Sequence, residues 1–171
     1  MRKIILGLAV TLDGLIEGPN GEYDWCLTDQ DYGMGDFLKR IDAIFYGRKS
    51  YEMMMGVEGG NPFAGIKGYV FSNTLKDIKD GFELVNGDII NKVQMLKARE
   101  GKNIWLFGGA LLTSSLMNAG LIDEVWMSVH PIVLGRGKPL FVDIHDRIKM
   151  ELLETKPYDS GLVSLRYRIL K

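Results

Sequence analysis

The stretch Asn103–Pro131, NIWLFGGALLTSSLMNAGLIDEVWMSVHP, constrains this chain more than any other. Ile104-Trp105-Leu106-Phe107 is a short apolar run with β-branched and aromatic members, which suits a buried strand. Gly108-Gly109 then lets the backbone turn tightly and approach something lying across it. From 110 to 117 the pattern becomes helical, with Leu111, Leu112, Ser115 and Leu116 spaced to share a face. Gly120 suits the stop, and 122–129 predicts a second strand. Strand, glycine pair, helix, strand is a βαβ unit whose helix opens at the glycines. Unpaired N–H groups and the helix dipole attract anions there, so a phosphate site is the natural expectation. Glycines before a helix also serve simply as tight turns, and no full G-x-G-x-x-G or Walker A is present. Both readings stand on this stretch alone.

The remaining chain repeats the theme. Residues 3–12 are apolar at nearly every position, as a central strand buried on both faces requires. A long polar loop with Tyr23 and Trp25 follows, suited either to a lid or to a surface excursion in which Trp25 plugs an apolar gap. The spacing of Met34, Phe37, Leu38 and Ile41 predicts a helix over 31–41, and 42–46 a short strand. Gly47-Arg48-Lys49-Ser50 then opens another helix. Two cations oppose the dipole of a helix N-terminus, so they make sense if an anion sits there, or as a solvated basic turn. Strands are expected over 66–72, ending at Ser72-Asn73-Thr74, and over 81–86, with a helix over 88–100. His130 begins a turn region in which it satisfies a hydrogen bond more readily than it catalyses. A hairpin pairs 148–156 with 162–170 across Pro157-Tyr158-Asp159-Ser160-Gly161. Helices between the early strands and a hairpin last predict an α/β fold with a mostly parallel sheet and an antiparallel edge.

Composition removes several classes of function. The 171 residues fit one domain spanning 1–171. A net charge of −1 gives no reason to expect a nucleic-acid or membrane partner. Cys26, His130 and His145 are too few and too scattered for a zinc site, so no metal is expected. The single cysteine fits a reducing cytoplasm. Arg2-Lys3 before an apolar run imitates a signal peptide, but the run is short and Asp13 and Glu17 follow at once. It is read as a buried first strand of a cytoplasmic protein.

Three phosphate-friendly strand ends now stand in order: Gly47-Arg48-Lys49-Ser50, Ser72-Asn73 and Gly108-Gly109, preceded by Thr11-Leu12-Asp13-Gly14. With the turn HPIVLGRGKPLF at 130–141 and the terminal hairpin, this pattern resembles the dihydrofolate reductase-like superfamily over essentially the whole chain. It most resembles the branch that includes the C-terminal reductase domain of bacterial riboflavin biosynthesis. The resemblance implies a homodimeric reductase with NADPH lying across the carboxyl ends of the strands. Gly47, Arg48, Lys49 and Ser50 would face the 2′-phosphate and its neighbours, and Ser72 and Asn73 would flank the adenosine. Gly108, Gly109, Ala110, Leu111 and Leu112 would cradle the pyrophosphate, and Leu8, Ala9 and Val10 would offer backbone to the nicotinamide. Two cations at one turn independently suit NADPH better than NADH.

On the substrate side the resemblance points to Asp13, Ile16 and Trp25, with Asp13, Asp31 or water as proton donor. Asp13 suits a turn cap equally well. Two departures argue against folate. Asp31 lies near the place where the folate enzymes carry a carboxylate, but aligning through Phe37-Leu38-Lys39-Arg40 puts Gly33 there instead, and Ile66, with Lys67 beside it, stands where they hold the glutamate tail with an arginine. The expected reaction is hydride transfer to a flat heterocycle or a conjugated C=N or C=O, resembling 5-amino-6-(5-phosphoribosylamino)uracil reductase. A weak dihydrofolate reductase and a non-catalytic NADP(H)-binding module are the alternatives.

Overall fold

A computed structural model describes residues 1–171. Eight strands form one sheet: β1 (Ile4–Thr11), β3 (Ile41–Gly47), β4 (Lys67–Phe71), β5 (Phe82–Val85), β6 (Asn103–Gly108), β7 (Glu124–His130), β9 (Met150–Pro157) and β10 (Val163–Ile169). Their order is β5-β4-β3-β6-β1-β7-β10-β9. All neighbours from β5 to β7 are parallel, and β10 runs antiparallel to both β7 and β9. The mostly parallel sheet with a terminal antiparallel hairpin is therefore the one the sequence predicts. Short strands β2 (Leu15–Glu17) and β8 (Lys138–Pro139) pair with each other beside it. No helix is long and apolar enough to cross a membrane.

Helices α1 (Met34–Leu38), α2 (Arg48–Met55), α3 (Ile89–Ala98) and α4 (Ala110–Asn118) complete the chain. Strand alternation divides the core between the two faces of the sheet. Ile4, Leu6, Phe45, Ile104 and Leu106 pack with Val93 and Leu96 of α3 and with Leu112 and Leu116 of α4. Ile5, Ile44, Tyr46 and Trp105 face the other way, toward Phe37 of α1 and Tyr51 and Met54 of α2. Each fully buried aliphatic side chain contributes roughly 1.5–3 kcal/mol, so interior strands covered on both faces read as unbroken apolar runs.

Two predicted elements differ. The helix expected over 31–41 is reduced to Met34–Leu38. Asp31 accepts hydrogen bonds from the N–H groups of Gly33 (3.1 Å) and Gly35 (2.9 Å), and Gly33 adopts φ 87°, so the chain is still turning where the pattern already looks helical. Ile41 supplies an apolar side chain to the start of β3 rather than to the helix. The helix expected over 88–100 begins at Ile89, with the Asp88 carboxylate accepting from Asn91 N–H as its cap, and stops at Ala98.

Polar groups tie the first strand to the last. Glu124, 2% exposed, accepts from Lys3 at 2.6 Å and from Arg166 at 3.1 Å. Burial alone would raise its pKa, but the hydrogen bonds and charges of Lys3 and Arg166 outweigh it and hold the carboxyl below its ordinary value of 4.5. The contribution of this carboxylate is complete above that ordinary value and is lost as pH falls through the lower folded-state value. Replacing Glu124 by Gln is expected to cost roughly 2–3 kcal/mol at neutral pH. The same substitution should flatten the fall of thermal stability on acidification, which thermal melts between neutral and acid pH measure directly.

Candidate functional site

Two concavities adjoin at the carboxyl ends of the parallel strands. The first is a groove of about 370 Å³ over the turns that follow β3, β4 and β6. Helices α2 and α4 both begin at glycines, Gly47 and Gly109, and neither has a side-chain cap. Their first N–H groups and dipoles remain available to an anion at the groove. The two turns touch: a Cβ on Gly47 would lie 3.0 Å from Gly109 N and 3.3 Å from Gly108 O. Gly108 adopts φ 127°, which side-chain-bearing residues rarely reach. Both glycine positions are thus dictated by space or backbone, and they bring two uncapped helix starts side by side.

The sequence-predicted groove residues gather here, with qualifications. Gly47, Arg48, Lys49, Ser72, Asn73 and Gly109 to Leu112 all line it. The Arg48 guanidinium forms an exposed pair with Glu52 at 2.9 Å, which an incoming phosphate would have to displace or share. The Ser72 hydroxyl accepts from Thr74 N–H and Leu75 N–H, both at 3.1 Å, and Asn73 Oδ1 accepts from Gly87 N–H at 3.1 Å. Those two side chains shape the turn as well as facing the groove. Leu111 is 72% exposed on the groove wall. Ser50 lies on the other side of the glycine pair, in the second cavity. Lys138 of β8 adds a third cation, pairing with Glu17 at 3.2 Å. Its place in the GRGKPL turn signalled order without disclosing that it faces the groove.

The second concavity, about 570 Å³, opens because two central strands part company. β1 pairs with β6 only from Ile4 to Leu6, whereas its pairing with β7 continues to Thr11 opposite His130. Beyond Leu6 the β6-facing edge of β1 therefore has no strand alongside, and Leu8 and Ala9 line the opening. Val10, expected beside them, is 4% exposed and packs into the core. Trp105 and Phe107 of β6, Trp126 of β7, Phe63 and Met53 supply apolar walls, and the loop carrying Tyr23, Cys26, Leu27 and Tyr32 covers one side. Burial, then the neighbouring Asp24 charge, pushes the Cys26 thiol up to about 11, which keeps it protonated and unreactive.

The substrate-side residues divide. Ile16 and Asp31 line the cavity, although the Asp31 carboxylate is engaged with Gly33 and Gly35 at the start of α1. Asp13 does not line it. Its carboxylate accepts from Thr11 Oγ1 at 2.6 Å, Gly135 N–H at 2.8 Å and Leu134 N–H at 3.3 Å. The Thr11 and Gly135 bonds, opposed by slight desolvation, hold its pKa below the ordinary value. This is a carboxylate pinning one turn to the end of β1. Trp25 also stands outside the lining, packed edge-on against His130 with ring centroids 5.2 Å apart.

Two polar groups in the cavity, His130 and Thr113, lie outside the site residues expected from the sequence. His130 is 2% exposed, and its Nδ1 lies 2.9 Å from the Ser128 carbonyl oxygen, while Nε2 has no partner. Thr113, fully buried on α4, has an unpartnered hydroxyl. The hydrogen bond expected of His130 exists, but it uses one nitrogen of the two. Thr113 carried no signal, being one polar residue inside an apolar helix pattern.

The chain matches the family described as the RibD C-terminal domain over residues 2–164. The protein YyaP of Bacillus subtilis (strain 168), itself uncharacterized, is 45% identical over 177 aligned positions that cover 97% of this chain and 94% of YyaP. Among solved structures, a Shewanella sp. PV-4 protein named for riboflavin biosynthesis superposes with a TM-score of 0.87 at 25% identity, covering 100% of both chains. The dihydrofolate reductase of Enterococcus faecalis, complexed with NADP(H) and RAB-propyl, shares the fold with a TM-score of 0.75 at 16% identity, over 99% of this chain and 97% of its own. The strand order, the family match along nearly the whole sequence and these likenesses agree: the protein belongs to the RibD C-terminal domain family and has the dihydrofolate reductase-like fold.

Proposed function

We propose that this protein is an NADPH-dependent reductase, with the dinucleotide in the groove and its nicotinamide end entering the cavity. The observation that carries this reading is the junction at Gly109, which lines both concavities and separates a cationic half from an aromatic one. Arg48, Lys49 and Lys138 would receive phosphate oxygens together with the first N–H groups of α2 and α4. The unpaired edge of β1 at Leu8 and Ala9 would hold the carboxamide, and Trp105 and Phe107 would exclude water. When bound, NADPH supplies a hydride to an electron-poor C=N or C=O carbon. The partner heteroatom takes a proton, from water or from a cavity side chain. The chain's own part is to position two flat rings face to face and keep them dry. The family match and the NADP(H)-bound dihydrofolate reductase of the same fold support the cofactor assignment.

Calorimetric titration of the purified chain with NADPH and with NADH tests the proposal. Micromolar affinity for NADPH, with NADH at least about tenfold weaker, is the expected result. Replacing both Arg48 and Lys49 by Ala should weaken NADPH by roughly 10–100-fold and NADH far less, as expected for loss of charge-assisted phosphate contacts. Equal losses for both cofactors would remove these residues from the 2′-phosphate. NADPH binding without consumption across a panel of pterins and pyrimidines would favour the non-catalytic module.

Gly47→Ala tests the groove from a different side. Its Cβ would press on the Gly108-Gly109 peptide, so stability should fall by roughly 1–3 kcal/mol. NADPH affinity should fall with it, and isothermal titration beside a denaturant melt separates the two effects.

A further inference from the structure

The charged groups of the site are segregated. The cations Arg48, Lys49 and Lys138 all belong to the groove, whereas no lysine or arginine lines the larger cavity. Its only charged side chains are Glu17, already paired with Lys138, and Asp31, already accepting from two backbone N–H groups. A phosphate or carboxylate brought into this cavity would be desolvated with no cation to receive it and with two carboxylates in the same wall, an arrangement that rejects anions. Trp105, Trp126, Phe63 and Phe107 supply aromatic wall that suits a flat ring, and the remaining polar lining, such as Thr28, Gln30 and Ser50, is uncharged.

Within those walls the polar chemistry is sparse and directional. The Ser128 carbonyl can only accept, so Nδ1 carries the hydrogen of their bond and Nε2 is the ring nitrogen left for a ligand. That nitrogen is buried without a partner, as is the Thr113 hydroxyl, in a cavity lined by both residues. Two buried polar atoms left unsatisfied in one concavity are what a hydrogen-bonding ligand would complete.

We infer that the second ligand of this protein is an uncharged, flat heteroaromatic molecule that carries no phosphate or carboxylate and donates an N–H to His130 Nε2. The inference rests on the cavity being the substrate side of the proposed reductase, but it names a class that a phosphoribosylated pyrimidine and a folate both fall outside. His130 acts here as a recognition residue.

Three flavins probe the class without turnover: riboflavin, which is neutral with one ring N–H; FMN, the same molecule with a phosphate; and 3-methylriboflavin, which lacks the ring N–H. Quenching of flavin fluorescence by the cavity tryptophans reports binding to the purified full chain, without added dinucleotide and in excess inorganic phosphate so that the groove cations Arg48, Lys49 and Lys138 are already occupied. Riboflavin should bind, with FMN and 3-methylriboflavin each about tenfold weaker. In His130→Ala the riboflavin affinity should drop to that of the methylated probe and the methyl penalty should vanish, while His130→Gln, which keeps an acceptor, should restore part of it. FMN binding as tightly as riboflavin, no riboflavin binding, or a methyl penalty that persists in His130→Ala would each overturn the inference. The riboflavin–FMN comparison uses the unaltered chain, so it holds even if the His130 variants fold poorly. Because NADPH titration is separate, selective riboflavin binding with no NADPH binding would sink the reductase proposal and leave only the cavity's ligand selectivity, whereas NADPH binding with no riboflavin binding would overturn the ligand class alone.

Discussion

The contact between two glycine turns is the constraint on which the site depends. Gly47 and Gly109 come so close that a single methyl group at Gly47 would meet backbone nitrogen at 3.0 Å. That approach sets the starts of α2 and α4 side by side and leaves both without side-chain caps. A fold normally satisfies such helix ends with Ser, Thr, Asp or Asn, as α3 does with Asp88. Two omissions at one place are local sacrifices of stability, and an anionic ligand is the group that would offset them. The sheet supplies the other half of the arrangement by letting β1 and β6 diverge after Leu6. One glycine, Gly109, then joins a polar trench to an aromatic chamber.

Much of this was legible in the sequence because it is local. Apolar runs marked the strands, and glycines followed by helical periodicity marked the turns between strand and helix. The groove residues came with those turns, since a helix N-terminus carries its own geometry. What stayed hidden depends on contacts distant in sequence. Lys138 reaches the groove only because β8 pairs with β2, whose Glu17 lies 121 residues earlier. Trp105 and Trp126 look like core residues, and Trp105 is one in burial, at 2% exposed. That they also wall a chamber follows from strand divergence, which no periodicity records. Asp13 and Trp25 illustrate the reverse: polar and aromatic residues near a strand end attract attention, yet one pins a turn and the other backs a histidine ring.

Glu124 and Asp123 show how the sheet's central strands are held in register from their amino ends. Asp123 accepts from Ile4 N–H at 2.9 Å and from Lys171 at 2.9 Å and also pairs with Lys97, while Glu124 joins Lys3 to Arg166. These carboxylates lie at the start of β7, whereas both concavities lie at the opposite, carboxyl ends of the strands. Structural charge and groove-lining charge therefore occupy opposite ends of the same strands.

The chamber is built of two unlike materials. Its floor and walls come from the interior strands β1, β6 and β7 where β1 and β6 part, while its cover is the loop from Tyr23 to Tyr32, where Tyr32 Oη bonds Asp29 at 2.5 Å and Ser160 at 2.9 Å. Changes to the cover leave strand pairing, the glycine contact and the groove cations untouched. A lineage can thus reshape the chamber by altering some ten loop positions, while inheriting intact the paired glycine turns beneath it.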